Sequence, residues 1–201
     1  MPLNPRLVTI PKPGDVGSLG AFRVATLTGT MVAGAAALSP WLSFRWTLAT
    51  SVAVIRQVRV GLQSLTAFAA GNGRIDMIVA RNFSASDVGG TALTLTGNNQ
   101  KMRTAMGSSG VGDFRIASTI ALVAGIRTLD AQPLSILNFG INTTANSTQL
   151  ASSSLFDLAP NEWPLILAAN EGFVLRATVP ATGTWNAFAS VVWEENANLP
   201  F

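Results

Sequence analysis

Alternation with a period of two runs through most of this chain. Val52, Val54, Val58, Val60 and Leu62 fall on one parity with Arg56 among them, and Gln57, Arg59 and Gln63 fall on the other. That pattern predicts a long strand with one dry face. Residues 74–81 predict a second strand, and further runs at 22–27, 42–48, 92–96, 114–123, 134–139, 164–167, 173–179 and 185–193 are rich in Val, Ile, Thr and aromatic residues. Gly, Asn, Ser and Pro separate these runs, as strand boundaries require. One segment reads as helical: residues 98–106 open with polar side chains and carry Lys101, Met102, Arg103 and Met106, with Gly107 available as a C-cap. Strands and helices do not alternate at the spacing of a parallel doubly wound sheet. The pattern therefore predicts an all-β fold with at most one short helix: an antiparallel β-sandwich of jelly-roll type.

Punctuation sets the domain limits and the turns. Pro2, Pro5, Pro11 and Pro13, with Gly14, Gly17 and Gly20, make residues 1–19 an extended N-terminal arm that cannot be a central strand. Residues 20–201 are then a single β-sandwich domain. An arm of this kind frays unless something holds it, so a neighbouring subunit is expected to clamp it, together with the tail ending at Phe201. Gly71-Asn72-Gly73 predicts a hairpin turn between the two long strands. Asp87-Val88-Gly89-Gly90 predicts a turn whose glycines take positive φ, and residues 107–112 read as a linker.

Composition narrows the chemistry. Among 201 residues there is no His and no Cys, and only 11% are charged. Imidazole bases, Ser–His dyads, thiolate nucleophiles, sulfur metal ligands and disulfides are all closed to such a chain. The ten carboxylates, including adjacent Glu194 and Glu195, show no spacing that announces a catalytic pair, and no Asp-x-Asp-x-Asp run suggests calcium. Glu194 and Glu195 read as a solvated strand end. No catalytic, cofactor-binding or metal-binding residue is expected, and the chain reads as not an enzyme. The glycines at 71–73 are not followed by the Lys-Ser/Thr of a phosphate loop, and 107–112 is not a nucleophile elbow without a His.

Net charge is only +3, and the cations are eleven Arg against two Lys, spread singly along the chain. A nucleic-acid reader clusters its cations, so no specific nucleic acid is expected. Arg suits interfaces better than Lys, and a hydrophobic content of 48% exceeds what one core needs, which points to protein–protein contacts. Residues 24–44 are uncharged, but Thr, Gly, Ser and Pro interrupt them too often for a membrane helix, and the N-terminus lacks the apolar stretch of a signal peptide. No membrane partner is expected. Five Trp allow a sugar-stacking surface, although Trp185 and Trp193 share a parity, which is the mark of core positions. The sequons at Asn82, Asn142 and Asn146 carry no weight without a secretory route.

Two passages carry a resemblance. Residues 81–107, from Arg81-Asn82-Phe83 through Asp87-Val88-Gly89-Gly90 to Asn98-Asn99-Gln100-Lys101, run on into 113–119. Residues 164–185 are joined by Val191-Val192-Trp193-Glu194-Glu195. Together these resemble small virion structural proteins of tailed bacteriophages, and among them capsid cement or decoration proteins. The resemblance implies a virion protein on the capsid surface, made in the bacterial host cytoplasm. Its implied partners are the major capsid protein and copies of itself as a dimer or trimer. The Pro-rich arm, the single Arg residues and Phe201 are the contacts expected on that reading. The competing reading is a carbohydrate-binding β-sandwich module of a phage tail fibre or spike.

Overall fold

The computed structural model describes residues 19–33, 35, 37–95, 100–159 and 162–197. Among the described residues the chain forms twelve strands and no helix. In chain order these are β1 (Gly20–Leu27), β2 (Ser39–Trp46), β3 (Ser51–Ser64), β4 (Asn72–Ala85), β5 (Thr91–Ala92) and β6 (Val111–Ile116). There follow β7 (Ile126–Leu129), β8 (Ser135–Gly140), β9 (Thr148–Asp157), β10 (Leu165–Leu167), β11 (Glu171–Thr178) and β12 (Trp185–Ala197). They build two antiparallel sheets packed face to face as a β-sandwich. One has the order β1-β12-β3-β10, with β9 also on β3; the other has the order β5-β6-β2-β11-β4-β7, with β8 also on β4.

The two longest strands organise the sheets. β3 is covered along one side by β12 and along the other by β9 and then β10. β4 is covered by β11 on one side and by β7 and β8 on the other. Because β3 and β4 lie in different sheets, Gly71-Asn72-Gly73 is not the hairpin turn that its composition predicts. Asn72 and Gly73 are already in β4, and residues 65–71 carry the chain from one sheet to the other. Gly73 serves close approach instead, since a Cβ there would stand 2.2 Å from the Phe139 ring.

The alternation in β3 also breaks. Val192 stands opposite Gln57 and Trp193 opposite Ile55, so Arg56 is an extra residue in a bulge. A bulge exchanges the faces on either side of it. Val58, Val60 and Leu62 enter the core with Ala53 and Ile55, while Val52 and Val54 are buried outside that cluster. A second bulge, at Trp41 between the pairs Leu42–Leu175 and Pro40–Arg176, lets Trp41 and Leu42 both reach the core.

Aromatic rings bridge the sheets. Phe22 of β1 stacks on Trp193 of β12 at 5.5 Å, and Phe44 of β2 stacks on Phe173 of β11 at 5.2 Å. Phe44 meets Trp193 edge-on at 5.5 Å, joining the two layers. Offset and edge-on contacts of this kind add to the area term of burial.

Three other expectations shift. Residues 100–106 form turns and a bridge to β1, not a helix, and Asn98 and Asn99 lie outside the described residues. The strand expected over 114–123 ends at Ile116. β7 and the Ser-rich β9 are strands in segments that are not among the predicted strand runs. Residues 1–18 of the arm, and Phe201, lie outside the described residues.

Candidate functional site

With no His, Cys or Tyr and only two Lys in the chain, carboxylates are the main acid–base groups, so their placement decides most of the chemistry available. Asp76, fully buried on the outer face of its sheet, receives Nε (2.8 Å) and Nη2 (3.0 Å) of Arg176, its register partner on β11. Arg74, two residues earlier on the same face, adds Nη2 at 2.8 Å. Asp87 Oδ1 accepts from Arg127 Nε at 2.8 Å and from the Gly125 N–H at 3.0 Å, and the Arg127 side chain is only 3% exposed. Asp87 occupies the predicted turn, where Gly89 (φ 78°) and Gly90 (φ 61°) take the left-handed conformation expected of them.

Phe83 links this pair to the rest of the sheet. Asn82 (φ 51°) turns β4 out of its ladder, and the Phe83 N–H then donates to Asn170 O at 2.7 Å. The guanidinium of Arg127 lies 5.6 Å, and that of Arg45 5.9 Å, from the Phe83 ring centre. Arg45 also donates to the carbonyls of Phe83 and Ser84 and to Ser86 Oγ. Phe83 packs with Ile78, Ala80 and Val174 as a small second core on the outer face, bordered by Leu129. These arginines are structural clamps over segment 83–87.

Glu194 and Glu195 are not the solvated strand end that the sequence suggested; both lie within β12, and Glu195 is the more deeply buried. It is 3% exposed and faces inward on the parity of Trp193. Its Oε1 accepts from Ser109 Oγ (2.6 Å) and Trp193 Nε1 (3.1 Å), and both oxygens lie within 3.1 Å of the Gly110 N. The shared parity with Trp193 is the signal that locates it. Glu194 faces the other way and pairs with Arg56 in the bulge at 3.5 Å.

The remaining described carboxylates are also engaged. Asp113 pairs with Arg115, and Glu162 caps the Ala159 N–H. Asp157 accepts from Gln57, while Asp130 and Glu171 share Arg81. The Arg81 guanidinium is held further above its ordinary range by its bond to Glu171 first and to Asp130 second. Among the described residues no group of three or more His, Cys, Asp or Glu stands together as a metal site. Among the described residues no helix is long and apolar enough to cross a membrane.

The Trp residues divide sharply. Trp41, Trp46, Trp185 and Trp193 are fully buried, whereas Trp163 is 87% exposed. Its position is set by an interrupted edge strand. β9 ends opposite Gln57, the Leu158 N–H donates to Arg56 O, and β10 resumes opposite Ile55 in the same direction. Trp163 stands off the sheet between them, next to Glu162, whose N–H donates to Ala159 O and whose carboxylate accepts from the Ala159 N–H, and before Pro164. The other sheet repeats the device on the same flank. β7 and β8 follow each other along β4, with the Asp130 N–H on Val79 O and the Leu134 N–H on Met77 O, and the chain leaves the edge between them. A depression of about 430 Å³ beside β8 is lined by Asn72, Asn138, Phe139 and Gly140. Nothing in the composition singled out Trp163 from the other four; the neighbouring Pro164 and Asn161 are the only hint that it sits in a loop.

Comparison with protein families, with curated proteins and with solved structures finds no match to this chain.

Proposed function

We propose that this chain is a structural virion protein of a tailed phage, a capsid cement or decoration protein that binds across capsomer junctions and stabilises the shell without catalysis. The observation that carries the reading is the contrast between interior and periphery. Every described carboxylate holds an internal partner, while large apolar side chains, Trp163 foremost, stand at the rim of a rigid sandwich. Such a body offers contact surface and, among the described residues, carboxylates that are all taken up by internal partners. The resemblance of residues 81–107 with 113–119, and of 164–185 with 191–195, to phage virion proteins directs that surface to a capsid.

A jelly-roll winding is part of the proposal. Its support is the strand order: first, last, third and ninth strands adjoin in one sheet, and second, eleventh, fourth and eighth in the other. That is the adjacency of two interleaved Greek keys, with β5 and β6 added beside β2. Capsid proteins and lectins both use this winding. A protein that binds the assembled shell and not its separated parts stabilises the shell by its binding free energy, repeated over symmetric copies.

The test is co-sedimentation of the purified protein with capsids that lack it, followed by heating of the particles. Saturable binding that raises the temperature of DNA release is expected. Absence of binding overturns the cement reading. Deletion of residues 1–19 is expected to leave the sandwich folded and to abolish attachment, and equal attachment by the truncated protein refutes a role for the arm. The second reading, a carbohydrate-binding module of a tail fibre or spike, is favoured by one observation, the displayed indole of Trp163. A glycan screen in which binding depends on Trp163 would select it.

A further inference from the structure

The two flanks of the sandwich carry opposite charge. On one flank lie β1 and the segment 100–107, tied together by Arg23 N–H to Gln100 O and Met102 N–H to Ala21 O. Arg23, Lys101 and Arg103 lie here, and residues 19–27 and 100–107 include no Asp or Glu. Arg23 and Arg103 are exposed, and neither forms an ion pair among the described residues. The opposite flank is made of the two interrupted edge strands. It presents Asp130, Asp157 and Glu162; Arg81 is shared by Asp130 with Glu171, and Arg127 of β7 is buried against Asp87.

Each flank also exposes apolar side chains that a monomer leaves in water. Leu27 and Met102 are more than half exposed on the basic flank; Ile126 and Trp163 are so on the acidic one. Solvent-exposed indole of this extent on a braced loop has the chemistry of an interface anchor.

We propose that copies of this chain assemble head to tail, the acidic flank of one subunit, with Trp163, seated on the basic flank of the next. The proposal gives a geometry to the self-association that the virion-protein reading implies and does not depend on capsid binding. Charge complementarity selects the occupant: each flank supplies what the other lacks, whereas pairing two like flanks would juxtapose like charges. The area fits a modest contact. β1, the edge strand of the basic flank, has 8 residues, and at about 3.3 Å per residue it is about 26 Å long. With sheets about 10 Å apart and their side chains added, the flank is about 20 Å thick, which gives about 500 Å² per partner, the small class of interface that is weak and salt-sensitive. A head-to-tail contact is heterologous, so it propagates to a ring or an open filament and does not stop at a dimer.

Two variants separate this arrangement from every isologous one. Trp163→Ala with Glu162→Arg disables the acidic flank, and Met102→Glu with Arg103→Glu disables the basic flank. All four side chains are exposed, and circular dichroism verifies the fold of each variant. Sedimentation velocity, without capsids, is expected to show wild-type protein as oligomers of three or more copies that weaken with added salt, and each variant alone as monomer. An equimolar mixture of the two variants retains one intact acidic flank and one intact basic flank, and is expected to give a 1:1 heterodimer and nothing larger. Wild-type monomer at all concentrations, a variant that assembles as wild type does or dimerises alone, or a mixture that stays monomeric overturns the proposal. Capsid binding by a protein that fails this test would leave the proposed function standing and remove only the head-to-tail assembly.

Discussion

Removing the Asp76 carboxylate is the sharpest probe of how this sandwich holds its charges. Asp76→Ala takes away the acceptor of three guanidinium N–H bonds, two from Arg176 and one from Arg74. The Arg74 side chain is 35% exposed and rehydrates, so its share is at most about 1 kcal/mol. Arg176 is 15% exposed and pinned in the β11 ladder, so its charge is left largely unpaired. Charged hydrogen bonds of this kind contribute about 1.5–3 kcal/mol each and are not additive. Asp76→Ala is therefore expected to cost about 3–4 kcal/mol, within the range for breaking a buried pair from one side. In urea, with a slope of about 2 kcal/mol/M, the midpoint falls by about 1.5–2 M. Arg74→Ala is expected to cost about 1 kcal/mol or less. Asp76→Leu combined with Arg176→Met, which removes both charges, is expected to return to within about 1 kcal/mol of wild type. A midpoint shift below about 0.5 M for Asp76→Ala at unchanged slope, or a double variant as unstable as the single one, would refute the reasoning.

Other perturbations test separate parts of the fold. A Cβ at Gly172 would stand 2.0 Å from the Phe44 carbonyl oxygen, so Gly172→Ala must push β11 off β2 and is expected to cost more than about 2 kcal/mol. Gly140→Ala, which meets nothing within 4 Å, is expected to lie within about 0.5 kcal/mol of wild type in the same urea titration. Glu195→Ala strands the Gly110 N–H and the Trp193 indole N–H, which predicts a loss of about 2–3 kcal/mol and a shifted Trp emission. Glu195→Gln keeps an acceptor oxygen and should recover most of that loss; equal stability of the alanine variant and wild type would dismiss the network. Phe83→Ala should cost about 3–5 kcal/mol by calorimetry, because the buried ring is lost from beneath Arg45 and Arg127.

Strand periodicity is a local property, and it was enough to establish the all-β class, the antiparallel sandwich and most strand positions, because β-branched and aromatic residues at alternate places can bury only one face of a pleated chain. It also placed the glycine turn after Asp87 and the core parity of Trp185 and Trp193. Partner choice is not local. Asn72 and Gly73 look like a hairpin turn, yet they begin β4, because β3 already has β12 on one side and β9 and β10 on the other, and β4 completes the facing sheet. The bulges at Arg56 and Trp41 exchange faces in mid-strand, and no alternation pattern shows where a ladder will gain a residue. Asp76, Asp87 and Glu195 became buried structural groups only when donors from distant strands converged on them. The amino-acid sequence by itself excluded thiol and imidazole chemistry, since an absent side chain cannot be restored by folding. Which of five Trp faces water, and which flank gathers which charge, only the tertiary structure decided, because both depend on how edge strands far apart in the chain are brought to one side of the sandwich.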